Sequence, residues 1–223
     1  MTYLGSYRGF REDALTAAFA GRSAESVRRG HYRQLSQELW LAYNEGGPFR
    51  FQTGSYFFLE KTKLTAAFLN LLPGVPFAGF VDNPTKSLSI GIFGEATYSP
   101  LEALRLTIGA RYTDDRKSRV GTTTRQQAPI FNSATDIASA NDARTSSNKL
   151  TWRAVADYDL NSRSLLYASI STGYKSGGGN NGCDAGAPGC LAPLAPSALY
   201  YEPETLTSYE VGLKTNSLMI AFG

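Results

Sequence analysis

The chain has 223 residues, of which 42% are hydrophobic and 12% aromatic, with 22 glycines and a formal net charge of only +3. That balance is too slight to argue for nucleic acid or an anionic membrane surface as a partner. No run reaches the ~20 apolar residues of a membrane-spanning helix; the nearest, Leu64 to Leu72, stops at Pro73-Gly74. Hydropathy does not separate a soluble protein from an outer-membrane barrel, because in a barrel lipid-facing and lumen-facing residues alternate and cancel.

The first residues, Met1 to Phe10, carry no basic segment and apolar core of the secretory kind. Weak period-two alternation follows over Gln34 to Tyr43 and Arg50 to Glu60. It is clearer from Leu88, where Leu88, Ile90, Ile92, Gly94, Ala96 and Tyr98 oppose Ser87, Ser89, Gly91, Phe93, Glu95 and Thr97. Next, Leu104, Leu106, Ile108, Ala110 and Tyr112 oppose Arg105, Thr107, Gly109, Arg111 and Thr113. The pattern returns with Leu150, Trp152, Ala154, Ala156, Tyr158 and Leu160, and again with Leu166, Ala168, Ile170, Thr172 and Tyr174. Ser208 to Thr215 is a weaker strand, and Ser217 to Gly223 reads as a strand stopped partway. A strand sends successive side chains to opposite faces, so the chain reads as roughly seven to nine strands, each with one apolar and one polar side.

The connections alternate in length. Asn44 to Pro48, Ser99 to Ala103 and Asn161 to Arg163 are short and rich in turn formers. Residues Thr62 to Lys86, Asp115 to Lys149 and Ser176 to Pro203 read as long loops, which are uncommon inside compact soluble domains. Short turns at one end and long loops at the other are the layout of an outer-membrane barrel. Tyr43, Tyr98 and Tyr158 lie on apolar faces just before short turns, and Tyr112 and Tyr174 near the long-loop ends. Rings so placed predict two aromatic girdles. A soluble β-sandwich used for binding or recognition alternates in the same way. The long loops and the small residues Gly94, Ala96, Ala110, Ala154 and Ala156 argue against its close-packed core.

Several separated stretches carry a family resemblance. They are Leu35 to Leu39 with Phe51 to Phe58, Phe93 to Tyr98 with Leu104 to Asp114, Leu165 to Gly178, and Tyr201 to Lys214. In order and spacing they resemble the barrel domain of TonB-dependent outer-membrane receptors, from about His31 onward. The resemblance implies an all-β fold, an antiparallel transmembrane barrel of about 22 strands around a plug, of which residues 1–223 are a partial domain. It implies a parent in the bacterial outer membrane that binds a scarce nutrient, usually a ferric siderophore, and imports it with energy relayed by TonB. The expected partners are outer-membrane lipid, the TonB complex through a plug not present here, and a siderophore-like cargo. No plug, coupling segment, closing C-terminal strand or export signal is visible, and both ends read as interior to a longer chain.

In an exported protein, Cys183 and Cys190 are expected to form a disulfide that pins their loop, worth on the order of 2 kcal/mol. Two free thiols or part of a metal site are the alternatives, but with only His31 elsewhere a metal site has little support. Gly177 to Gly182 formally matches a dinucleotide-binding pattern, but Cys183 to Gly189 cannot start the helix that pattern needs. Arg105, Arg111, Arg153 and Lys175 lie on polar faces, where they are candidate contacts for an anionic cargo or the plug. The competing reading pairs them with carboxylates such as Glu95, Asp157 and Glu210. A single histidine leaves little room for acid-base catalysis, and no enzyme site and no cofactor is expected.

Overall fold

The computed structural model describes residues 1–19, 24–72, 75–81, 85–126, 132, 137–179, 183–184, 193–194 and 200–215, with side chains for 1–16, 25–65, 85–120, 132, 143–179 and 200–215. All its elements are strands: β1 (Thr2–Phe19), β2 (Ala24–Tyr43), β3 (Phe49–Leu72), β4 (Val75–Val81), β5 (Thr85–Leu101), β6 (Leu104–Gln126), β7 (Ile137–Asn161) and β8 (Ser164–Lys175). Four two-residue strands follow, β9 (Gly178–Gly179), β10 (Cys183–Asp184), β11 (Pro193–Leu194) and β12 (Tyr200–Tyr201), and then β13 (Glu204–Thr215).

One antiparallel sheet of nine strands contains β1 to β8 and β13. Apart from β4 and β5, successive strands of this sheet are neighbours in it, as in an up-and-down barrel wall. Strand β3 pairs with β5 from Phe49 to Thr62 and with β4 from Thr65 to Leu72. Both β4 and β5 also pair with β6. They therefore share one position in the wall, β4 above β5, and the sheet is eight positions wide.

The short connections match expectation. Strands β5 and β6 are joined by Glu102 and Ala103 alone. Gly46, at φ +77°, supplies the left-handed residue of the turn between β2 and β3. Adjacent turns are tied by backbone bonds from Ser99 N–H to Pro48 O (2.7 Å) and from Asp159 N–H to Ala103 O (2.8 Å). The long connections differ from expectation. Strand β3 continues to Leu72, β6 to Gln126, and β7 starts at Ile137, so much of the first two expected loops is paired strand. Strand β1, over residues where no alternation is read, is 18 residues long and in register with β2 from Thr2↔Trp40 to Thr16↔Ser26.

Exposure is inverted relative to a soluble sheet. The apolar face is the open one: Ile92 is 60% exposed, Ile108 66%, Leu150 59% and Val211 78%. Its polar counterparts Ser89, Glu95, Thr97, Arg105, Thr107 and Thr113 are only partly exposed. Contacts that skip a strand occur on the polar face, where Trp40 of β2 meets Phe93 of β5 and Arg153 of β7 meets Glu95 of β5. The sheet therefore curls with its polar side concave. Among the described residues no second sheet covers the apolar side, which removes the sandwich alternative.

The cross-strand register lines up an uncharged outer band. On β3 and β5 it runs through Phe49↔Tyr98, Phe51↔Ala96, Thr53↔Gly94, Ser55↔Ile92, Phe57↔Ile90 and Leu59↔Leu88. On β6 and β7 it continues through Leu104↔Tyr158, Leu106↔Ala156, Ile108↔Ala154, Ala110↔Trp152 and Tyr112↔Leu150. Ten residue steps at ~3.3 Å, tilted ~40°, give a band about 25 Å tall, the apolar height of an outer membrane.

Candidate functional site on the polar face

The concave face gathers its most interactive side chains at mid-height. Trp40 and Phe93 meet edge to face, ring centroids 4.6 Å apart. The Arg111 guanidinium carbon lies 5.7 Å from the Phe93 centroid and 5.5 Å from that of Tyr56. Arg111 Nε also donates to Thr113 Oγ1 at 3.1 Å. Two glycines make this possible. A Cβ on Gly54 would lie 2.6 Å from Phe93 Cζ and 2.3 Å from the Leu39 carbonyl oxygen, so the ring leans over bare backbone. A Cβ on Gly91 would lie 2.7 Å from Arg111 Nη2, so the guanidinium crosses β5 at a residue without a side chain and reaches Tyr56 on β3.

Beside this cluster Arg153 donates from Nε to Glu95 Oε2 at 2.6 Å and makes a second contact from Nη2. Gln52 reaches the other Glu95 oxygen at 3.5 Å. With Glu38, Thr151 and Ser171 these groups line a shallow depression of about 330 Å³. It presents one π-supported cation next to a neutralised ion pair, a surface suited to an anionic or aromatic partner.

The four basic residues singled out from sequence thus separate. Arg105 is bidentate to Asp159 (2.5 and 2.9 Å), Arg153 pairs with Glu95, and Lys175 bonds Glu204 at 3.2 Å. Among the described residues only Arg111 of the four has no carboxylate within ion-pair distance. The partners differ in detail from those expected: Asp159 takes the place of Asp157, and Glu210 accepts from the Tyr167 hydroxyl at 2.5 Å. Sequence reasoning missed Trp40 and Tyr56. Phe93 interrupting a polar stripe was the available signal, but only the register joins the three rings.

Tyr43, Tyr98 and Tyr158 stand on the apolar face at the short-turn edge, 40%, 51% and 44% exposed, and Tyr43 stacks on Phe51 with centroids 5.5 Å apart. Tyr112 stands at the opposite edge of the band. Tyr174 is placed differently. The β7–β8 ladder ends at Arg153↔Ser171, and Trp152 N–H is taken by Thr172 Oγ1 at 2.8 Å. Past that break the Tyr174 hydroxyl donates to Ser147 Oγ at 2.6 Å, on the polar side. The side chains of Cys183 and Cys190 lie outside the described residues. Gly177 is buried, Gly178 and Gly179 form β9 against Tyr200 and Tyr201 of β12, and residues 180–182 of the glycine motif are likewise outside the described residues.

Comparison with known proteins agrees with this architecture. No curated protein matches the chain. Among solved structures, the ferric yersiniabactin uptake receptor FyuA from Yersinia pestis is similar, with a TM-score of 0.72 and 16% identity over 96% of this chain. The chain spans 30% of that receptor's length. The family model described as "TonB dependent receptor-like, beta-barrel" matches residues 2–222, so this chain belongs to that family and is a segment of its transmembrane barrel.

Proposed function

We propose that the parent of this chain is an outer-membrane active-transport receptor, that its cargo is a ferric siderophore or another scarce nutrient, and that TonB energises import through a plug carried elsewhere in the parent. The two-faced wall is the observation that supports this most directly. An uncharged band about 25 Å tall meets lipid, while the concave face holds Arg111 on a bed of aromatic rings. In a closed barrel that face lines the lumen. There Arg111 is available to an anionic chelate or to a plug carboxylate, and the Arg105–Asp159 and Arg153–Glu95 pairs brace the wall. The resemblance in fold to a ferric yersiniabactin uptake receptor supports a siderophore within this class.

The test is uptake of ⁵⁵Fe-labelled siderophores by cells whose only such receptor is the parent protein. Accumulation is expected with at least one chelate and should stop when TonB is deleted. Equal accumulation without TonB would mean a passive pore and would overturn the energised mechanism.

A further inference from the structure

The weak net charge conceals a strong segregation. Just past the upper edge of the uncharged band, on the outward face, the register sets basic side chains side by side. Arg11 pairs with His31, His31 with Lys63, Arg33 with Lys61, and Lys61 with Lys86. Like charges directly opposite one another on neighbouring strands destabilise a sheet. Two of these pairs, Arg33↔Lys61 and Lys61↔Lys86, join arginine and lysine side chains across three strands. Nearby, Arg29 is tied to Asp13 (3.3 Å) and Arg116 to Asp114 (2.8 Å). Among the described residues no carboxylate comes within ion-pair distance of Arg11, Arg33, Lys61, Lys63 or Lys86. The local carboxylates Glu12 and Glu60 point the other way, into the concave face, toward Tyr32 and Gln34. Arg29, His31, Arg33, Lys61, Lys63 and Thr65 also outline an open groove of about 480 Å³.

The geometry points to a binding site for the phosphorylated headgroups of membrane lipid in the leaflet at the long-strand end. Four features select lipid over a soluble anion or a cargo. The patch faces away from the lumen, begins where the uncharged band stops, spans four adjacent strands, and lacks the counter-charges that its own sheet needs. In an outer-membrane barrel the long-strand end is the cell exterior, where the lipid is a phosphorylated glycolipid. Its phosphates would sit among Arg33, Lys61, Lys63 and Lys86 while its chains lie along Leu35, Phe57, Leu59 and Leu88. The inference is independent of the cargo.

The experiment uses the full-length parent in lipid-free detergent. Thermal unfolding is followed with bisphosphorylated lipid A, with dephosphorylated lipid A, and with millimolar inorganic phosphate. For the wild type, bisphosphorylated lipid A should raise the Tm by roughly 5 °C and the other two should do little. In the R33Q/K61Q/K63Q variant the rise should vanish. Its Tm without lipid should equal or exceed that of the wild type, because the repulsion is gone. An equal rise in the variant, or with the dephosphorylated lipid, would overturn the site. An equal rise with inorganic phosphate would mean an anion site without lipid and would overturn the headgroup assignment.

Discussion

Arg111 is the side chain on which the concave face turns. A guanidinium over two rings gains about 0.5–1 kcal/mol from each when partly exposed, and among the described residues no carboxylate lies within ion-pair distance of it. Arg111→Met in the parent should therefore leave the barrel folded, seen as unchanged heat-modifiable mobility on gels, and weaken cargo binding on the order of tenfold. Unchanged affinity would make Arg111 a packing residue. The two glycines beneath the cluster should respond unequally. At Gly54 a methyl group meets the Leu39 carbonyl, which is backbone and must move, so Gly54→Ala should cost about 1–3 kcal/mol in equilibrium unfolding. At Gly91 it meets only the end of the Arg111 side chain, which swings aside, so Gly91→Ala should cost less than about 1 kcal/mol while mimicking Arg111→Met in binding.

Each strand must satisfy lipid on one side and water on the other, and that demand made most of them legible. Where Leu104, Leu106, Ile108, Ala110 and Tyr112 alternate with polar residues, the sequence alone carries both the strand and its orientation. Above the band the alternation is lost: the upper parts of β6 and β7 are largely polar throughout, while β3 from Leu64 to Leu72 is nearly all apolar, so period two leaves no mark. That is why the upper reaches of β3, β6 and β7 read as loops. Strand β1 was obscured for a related reason: Gly5, Gly9 and Arg11 dilute its outward stripe. The Trp40–Phe93–Arg111 cluster was less legible still, because it depends on the register of four strands and on two glycines that gain meaning only from what crosses them. On β6 the two faces should differ sharply in tolerance. Ile108→Arg, at the middle of the band, should cost about 2–4 kcal/mol in unfolding from lipid vesicles. Thr107→Arg, one residue away and facing inward, should cost far less. Similar costs at both positions would contradict the assignment of faces.

The sheet as a whole is an open arc. Among the described residues β1 pairs only with β2 and β13 only with β8, so each leaves a row of backbone donors and acceptors without a strand partner there. Free edges of that length recruit other chains, and the chain spans 30% of the similar uptake receptor. Expressed alone it should self-associate, and size-exclusion chromatography in detergent should show aggregates rather than a monomer. Within the parent the flanking strands would take up those edges and close the lumen. Which face of this wall meets lipid decides between a transmembrane barrel and any other role, and an accessibility scan measures that directly. Single spin labels at successive positions from Arg105 to Thr113 in the membrane-embedded parent would be compared for collisions with oxygen and with a water-soluble nickel chelate. Oxygen accessibility should peak at positions 106, 108 and 110 and chelate or lumen-restricted signals at 107, 109 and 111, with a period of two. A scan without that period, or with the chelate favouring Leu106, Ile108 and Ala110, would contradict the transmembrane wall and the transport function built on it.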